Sequence, residues 1–235
     1  RTAVARACGI GLSLALKRGE VVDVETPHGV ARVHLQPVDG PRGALVLGHG
    51  AGAPQTHPFM VAAARALAER GIDVVTFNFV YMEHERGAPD RNDRLEACFA
   101  AVVADARALF PSHALAAGGK SMGGRIASQA AAKQLLGDLR ALVFLGYPLH
   151  PPKQPEKLRD KHLPSVRAPM LFIQGERDPF GTPNELAPII QSLNAKLLAI
   201  PRADHSLKTP KTQADPLPAI YDAIARFVRD AGAGA

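Results

Sequence analysis

The stretch Ala114-Leu-Ala-Ala-Gly-Gly-Lys-Ser-Met-Gly-Gly-Arg125 decides how the whole chain is interpreted. It contains the pentapeptide Gly119-Lys-Ser-Met-Gly123, which follows an apolar run and precedes an Ala-rich helical pattern over residues 121–134. A G-x-S-x-G pattern between a strand and a helix is typical of a sharp turn that exposes the serine hydroxyl at the end of a sheet. Glycines in such a turn remove side chains that would clash across it. The stretch therefore predicts a strand, a turn and a helix, with Ser121 as a candidate nucleophile.

Residues 119–121, Gly-Lys-Ser, also resemble the end of a phosphate-binding loop, G-x-x-x-x-G-K-[ST]. That motif requires a glycine five positions before Gly119, and Ala114 occupies this position. The residues between them also have the pattern of a strand rather than of a long loop. Nucleotide binding at this stretch is therefore disfavoured.

The composition is that of a globular protein: 46% of the 235 residues are hydrophobic and 21% are charged. A chain of this length suits one large α/β domain, which we expect over residues 20–235, with residues 1–19 as an uncertain amino-terminal extension. The net charge of +6 comes mostly from dispersed Lys and Arg residues and is accompanied by only 5% aromatic residues. This pattern disfavours a nucleic-acid partner.

The amino-terminal segment and the cysteines bear on where the protein acts. An apolar stretch over residues 7–16 is too short to span a membrane and lacks a clear small-residue cleavage site. Cys8 and Cys98 have neither a metal-binding nor a redox spacing. We therefore expect a cytoplasmic protein without a membrane partner.

Strand-like and helical patterns alternate along the chain, after a hairpin-like pair over residues 20–38. Strands are predicted at 43–48, 72–80, 114–117, 141–146, 169–174 and 196–200, and helices at 58–70, 92–109, 121–134, 184–193 and 218–230. Alternation of this kind predicts a mostly parallel sheet with helices on both faces. Only about twenty residues separate the strands at 141–146 and 169–174, which allows a minimal lid and an open or shallow pocket.

A serine hydroxyl needs a general base, and the base needs an orienting acid. Asp178 follows the predicted strand at 169–174, and His205 follows the strand at 196–200. Strand carboxyl ends are where sheets of this kind hold their sites, and the order Ser, acid, His suits a G-x-S-x-G turn. Ser121, Asp178 and His205 are therefore the predicted catalytic triad, with Glu176 as an alternative acid. Lys120 is expected to point away from Ser121 and to make a local salt bridge, although a role as base is an alternative.

The developing oxyanion needs two backbone N–H donors. Met122, directly after the nucleophile, is expected to supply one, and Ala51, in the loop of residues 48–52 (Gly-His-Gly-Ala-Gly), the other. His49 is expected to shape this loop. His49 and His57 lie eight residues apart, which is not a usual metal-ligand spacing, so no metal is expected.

Over residues 20–232 the chain resembles the α/β-hydrolase superfamily, and more narrowly a small dienelactone-hydrolase-like group. The resemblance is carried by the Gly-His-Gly-Ala-Gly loop, the Gly-Lys-Ser-Met-Gly-Gly turn, and further matches at 56–59, 78–82 and 146–152. It implies a serine hydrolase with no metal or organic cofactor. Dienelactone hydrolases proper carry Cys where this chain has Ser121, which argues against that specific activity.

The predicted reaction is hydrolysis of a small-molecule ester or thioester of a small acid. A non-catalytic interaction module of the same fold and a small peptidase are the alternatives. Candidate substrate-binding residues at the pocket rim are His57, Tyr147 and His150, with a place at the start of a helix as the alternative for His57. Four basic residues crowd the segment between the predicted strands at 141–146 and 169–174: Lys153, Lys157, Arg159 and Lys161. They either form a solvated rim or steer anionic esters towards the pocket.

Overall fold

The structure is a computed structural model that describes residues 19–84, 87–111 and 115–231. The expectations for the extension at 1–19, apart from its last residue, and for Cys8 lie outside these residues. Within the described ranges, no helix is both long enough and apolar enough to cross a membrane.

Among the described residues, eight strands form one sheet in the order β1-β2-β4-β3-β5-β6-β7-β8. β1 and β2 form the predicted antiparallel hairpin, β2 is also antiparallel to β4, and all other neighbours are parallel. The strands are β1 Glu20–Thr26, β2 Gly29–Gln36, β3 Ala44–Gly48, β4 Asp73–Phe77, β5 Leu115–Lys120, β6 Leu142–Leu145, β7 Met170–Gly175 and β8 Ala195–Ile200. The predicted mostly parallel sheet is confirmed.

In the described part of the chain the α-helices are α1 Pro58–Ala68, α2 Val80–Glu83, α3 Asn92–Leu109, α4 Met122–Ala132, α5 Pro183–Ile190 and α6 Leu217–Asp230. The apolar residues of α1 and α6 pack on one face of the sheet, and those of α3, α4 and α5 pack on the other. β3, β4, β6 and β7 are buried along their whole length, which agrees with the apolar sequences of β3 and β6 and the mostly apolar sequences of β4 and β7. The predicted helices on both faces are therefore confirmed.

The segment between β6 and β7 holds the minimal lid that the sequence predicted. Its regular structure is a single 3-10 turn over Leu163–Ser165. The rest runs as a loop across the carboxyl ends of the strands, where residues from several loops meet.

Candidate active site

Ser121 lies at the turn between β5 and α4, as the pentapeptide predicted. Its backbone has φ of 50° and ψ of −114°, a strained conformation for a residue with a side chain, which costs about 1–3 kcal/mol. A Cβ on Gly119 or Gly123 would collide with the carbonyl oxygen of Gly48, at the end of β3. The two glycines of the motif therefore allow α4 to pack tightly on β3 while the turn presents Ser121.

The three residues predicted as a triad lie in one chain of hydrogen bonds. His205 Nε2 is 2.9 Å from Ser121 Oγ, and His205 Nδ1 is 2.7 Å from Asp178 Oδ2. The Asp178 side chain is fully buried, whereas the His205 side chain is 20% exposed. A carboxylate can only accept, so Nδ1 carries the proton and Nε2 is left to accept the Ser121 hydroxyl proton. This arrangement is the one that activates a serine hydroxyl.

The acid that contacts His205 is Asp178 rather than Glu176. Asp178 Oδ1 accepts a hydrogen bond of 2.8 Å from the Phe180 backbone N–H. The Phe180 ring also packs against the imidazole of His205, with 4.3 Å between ring centroids. Glu176 is exposed and instead accepts from the backbone N–H of Arg202 at 2.9 Å.

Gln174 is a site residue that the sequence analysis missed. Its side chain is completely buried at the end of β7, where Nε2 donates to Asp178 Oδ2 at 2.8 Å and to the Gly181 carbonyl at 2.6 Å. Its Oε1 accepts from the Tyr147 backbone N–H at 2.8 Å. One amide therefore joins the acid to the loop after β6. The available signal was a single polar residue in an otherwise apolar strand, Met-Leu-Phe-Ile-Gln-Gly.

Lys120 does not make the expected salt bridge with any of the residues that the structure describes. Its Nζ donates a hydrogen bond of 2.7 Å to the backbone carbonyl of His205. Burial lowers the pKa of Lys120 to about 8, against the opposing effect of the Asp178 and Asp204 carboxylates. The amine thus supports the loop that carries the imidazole, and nothing in its contacts favours a role as base.

The loop after β3 holds the peptide of Ala51 in place through two aromatic side chains. His49 Nδ1 lies 2.6 Å from the Gly50 carbonyl, so it donates, and Nε2 accepts from the Phe79 N–H at 3.1 Å. Burial lowers the pKa of His49 to about 4, which keeps the ring neutral. The Tyr81 hydroxyl donates to the Ala51 carbonyl at 2.9 Å. The loop-shaping role predicted for His49 is confirmed by these contacts.

Ala51 and Met122, the two predicted oxyanion donors, both line the same pocket as Ser121. Met122 is the first residue of α4, so its N–H has no intrahelical acceptor. Within the part of the chain that the structure describes, the N–H of Ala51 likewise has no hydrogen-bond acceptor. Two backbone donors beside Ser121 are therefore available to a ligand.

The predicted rim positions of Tyr147 and His150 are wrong. Tyr147 is fully buried, and its hydroxyl donates to the Arg159 carbonyl at 2.7 Å. His150 is 5% exposed, and its Nε2 lies 3.2 Å from Glu185 Oε1. Both side chains turn inwards because the short loop after β6 must bury apolar surface against the sheet. His57 caps α1, where its Nδ1 accepts from the Phe59 N–H at 3.2 Å.

The pocket beside Ser121 has a volume of about 270 Å³ and contains none of the three predicted substrate-binding residues. It is formed by the loops after β3, β6 and β7, by the start of α3 with the residues just before it, and by the turn at Ser121 with the start of α4. Its lining residues are Ala51, Pro89, Asp90, Asn92, Leu95, Ser121, Met122, Arg125, Pro148, Arg159 and Phe180. Of the four basic residues expected near the pocket mouth, Arg159 lines it and the three lysines do not.

The same architecture is found in other proteins of known structure. A serine hydrolase without a lid from Xanthomonas campestris superposes with a TM-score of 0.73 and is 23% identical, over 93% of this chain and 97% of the other. Dienelactone hydrolase from Anabaena variabilis superposes with a TM-score of 0.70 at 21% identity, over 88% and 94% of the two chains. Est1E from Butyrivibrio proteoclasticus superposes with a TM-score of 0.71 at 15% identity, over 91% and 99%.

At these identities the solved structures establish the fold, and the sequence itself matches a family model. The model describes an alpha/beta hydrolase domain and matches residues 41–230, which include the loop after β3, the Ser121 turn and both residues expected to complete the triad. The chain therefore belongs to the alpha/beta hydrolase domain family, as its resemblance to the α/β-hydrolase superfamily indicated.

Proposed function

We propose that this protein is a serine hydrolase that cleaves esters or thioesters of small acids through an acyl-enzyme. The observation that carries the proposal is the hydrogen-bond chain from Ser121 Oγ through His205 to Asp178, with spacings of 2.9 and 2.7 Å. Both spacings are within the reach of proton transfer between a nucleophile, a general base and its orienting acid. Membership of the alpha/beta hydrolase domain family supports the same conclusion.

In the proposed first step, His205 Nε2 takes the hydroxyl proton as Ser121 Oγ attacks the carbonyl carbon. The N–H groups of Ala51 and Met122 then hold the tetrahedral oxyanion, while Asp178 stabilises the imidazolium that has formed. His205 gives its proton to the leaving alcohol or thiol. A water molecule, deprotonated by the same imidazole, then clears the acyl group from Ser121.

The size of the pocket supports a small acyl group. Its volume of about 270 Å³ and the short segment between β6 and β7 leave little room to bury a long chain. Each buried methylene contributes about 0.8 kcal/mol, so kcat/KM should rise with acyl length only while each added methylene is still buried against the pocket wall. We expect the best acyl chains to have roughly two to six carbons by this reasoning.

The test is a series of p-nitrophenyl esters of increasing acyl length, with the wild type, Ser121→Ala and a control, Ser165→Ala. Ser165 is an exposed serine on the loop after β6, so its replacement makes the same chemical change away from the proposed nucleophile. Ser121→Ala should lose activity by about three orders of magnitude or more, since the triad acts as a unit. Ser165→Ala should match the wild type.

A fluorophosphonate probe followed by peptide mass spectrometry provides a readout that does not depend on the substrate. Labelling should occur on the peptide that contains Ser121 and should disappear in Ser121→Ala. Retention of more than a tenth of wild-type turnover by Ser121→Ala would contradict the proposal. No labelling and no hydrolysis would favour a non-catalytic module, and faster cleavage of anilides than of esters would favour a peptidase.

A further inference from the structure

Two arginines line the pocket beside Ser121 without a carboxylate partner. Arg125 lies one helical turn after Ser121, since its backbone N–H donates to the Ser121 carbonyl at 3.1 Å. Arg159 reaches the same pocket from the loop after β6. Within the described ranges, neither guanidinium forms an ion pair within 4.0 Å of a carboxylate.

The hydrogen bonds of the two guanidiniums satisfy only part of their donors. Arg125 Nη1 donates to Asn92 Oδ1 at 3.3 Å and to Gln129 Oε1 at 3.1 Å, while its buried Nε has no partner among the described residues. Arg159 Nη1 makes one long contact of 3.4 Å with the Pro148 carbonyl. A guanidinium offers five N–H donors, so most donors of the two side chains have no acceptor among the described residues.

The acids near this pair do not cancel its charge. Glu96 acts on Arg125 through its charge, but Lys133 Nζ lies 2.5 Å from Glu96 Oε2 and takes up that carboxylate. Asp90 lines the pocket as well and contributes a negative charge to it. Burial and the nearby positive charge of Arg159 together lower the pKa of Arg125. The two cations therefore repel each other, and an anion placed between them would relieve this repulsion.

Partly buried hydrogen bonds anchor the backbone of both arginines. The Tyr147 hydroxyl donates to the Arg159 carbonyl, and the Ser128 hydroxyl lies 2.7 Å from both the Arg125 carbonyl and His162 Nε2. Burial is the main cause that lowers the pKa of His162 to about 4, so this imidazole is neutral at ordinary pH. These contacts fix the backbone at Arg125 and at Arg159, and both residues line the pocket from these anchored positions.

We propose that Arg125 and Arg159 form an anion-binding subsite for a carboxylate that the substrate carries a few bonds from its scissile carbonyl. This inference rests on the proposed hydrolase function and deepens it. The preferred substrates are then small carboxylate-bearing esters, such as half-esters of short dicarboxylic acids. Arginine suits this task because its planar donors match a carboxylate in two parallel hydrogen bonds.

The experiment compares charged esters with uncharged esters of the same shape. Monoethyl succinate carries the carboxylate on the acyl side, and ethyl 4-methylpentanoate is its neutral counterpart. Acetoxyacetate carries it on the alcohol side, and isobutyl acetate is its neutral counterpart. The measured quantity is the ratio of kcat/KM for each charged ester to that for its neutral partner, at low and high salt.

The wild type should prefer at least one charged ester, and Arg159→Gln should lower that ratio by about tenfold to a hundredfold, the range for a hydrogen bond to a charged group. Arg125→Gln should act in the same direction, and Arg125→Lys should retain part of the preference. Lys157→Gln removes a cation from the same loop that does not line the pocket, and should leave the ratio within about twofold, as expected of a screened surface charge.

A binding measurement separates failure of this inference from failure of the proposed function. Calorimetry with Ser121→Ala and monoethyl succinate or acetoxyacetate requires no turnover, and binding should be lost when Arg159→Gln is added. The inference is overturned if neither charged ester is preferred or bound. It is also overturned if Lys157→Gln lowers the ratio as much as Arg159→Gln does, since long-range attraction would then explain the preference.

Discussion

Replacement of Gln174 by Met tests whether one buried amide supports both the fold and the acid of the site. Methionine has a similar length and fills irregular space in a core, so the change removes hydrogen bonds with little loss of volume. Gln174 is fully buried, and it satisfies the Tyr147 N–H, the Gly181 carbonyl and one oxygen of Asp178. In the variant, Asp178 Oδ2 would lose the Gln174 amide and keep only His205 as a side-chain partner among the residues that the structure describes, so its position would be less well fixed.

Two backbone groups, the Tyr147 N–H and the Gly181 carbonyl, would lose the Gln174 hydrogen bond in a buried environment. Each such group costs about 1–3 kcal/mol, so Gln174→Met should lower the free energy of unfolding by about 2–6 kcal/mol. For a chain of this length, 1 kcal/mol corresponds to about 2–4 °C, which predicts a fall in Tm of roughly 5 to 20 °C. The catalytic effect is separate: a misplaced Asp178 should lower kcat by roughly tenfold to a hundredfold.

Urea unfolding and p-nitrophenyl acetate hydrolysis, both at 25 °C, measure these two effects on the same protein sample. Gln213→Met is the matched control, because Gln213 is exposed on the loop before α6. An unfolding free energy for Gln174→Met within about 0.5 kcal/mol of the wild type, the usual range for surface changes, would refute the structural argument. Normal kcat in a destabilised variant would refute the claim that Gln174 positions Asp178.

Three further predictions follow from the site. Asp178→Asn should preserve folding and depress kcat by orders of magnitude, because the amide favours the wrong imidazole tautomer, whereas Glu176→Gln should lower kcat by less than about threefold. Ester kinetics on both variants measure this, and a larger loss in Glu176→Gln would reverse the assignment of the acid. Burial lowers the pKa of His49 to about 4, so the unfolded chain binds more protons than the folded chain between pH 6.5 and about 4. As the pH falls through this window, His49 should therefore lower the free energy of unfolding by about 3 kcal/mol. Urea titrations of the wild type and His49→Asn at several pH values test this, and parallel plots of unfolding free energy against pH would contradict it. Gly123→Ala should destabilise the fold by roughly 3 kcal/mol or more, because the added Cβ meets the carbonyl oxygen at the end of β3. Gly52→Ala is the control, since a Cβ there meets nothing within 4 Å and should change Tm little. Equal Tm values for the two variants would count against the packing argument.

The sequence by itself determined those features that depend on short-range backbone constraints and periodicity. Helix α3 was predicted at its observed bounds, Asn92–Leu109, because its apolar residues repeat at helical spacing over five turns. The turn at Ser121 was predicted because the glycines around it permit a close approach that other residues would block. The contacts of Ser121, His205 and Asp178 were also foreseeable, since the carboxyl ends of parallel strands lie at one edge of a sheet.

Only the tertiary structure decided which side chains surround that site. Tyr147 and His150 read from the sequence as rim residues, but a short loop that must cover apolar strands turns them inwards. Arg125 and Arg159 lie 34 positions apart, and the sequence gives no sign that helix α4 and the loop after β6 bring them to one pocket. Which side chains are buried and which line the pocket depends on how loops from different strands pack against one another. Local propensity carries no information about that packing, and it is the packing that determines what the pocket can bind.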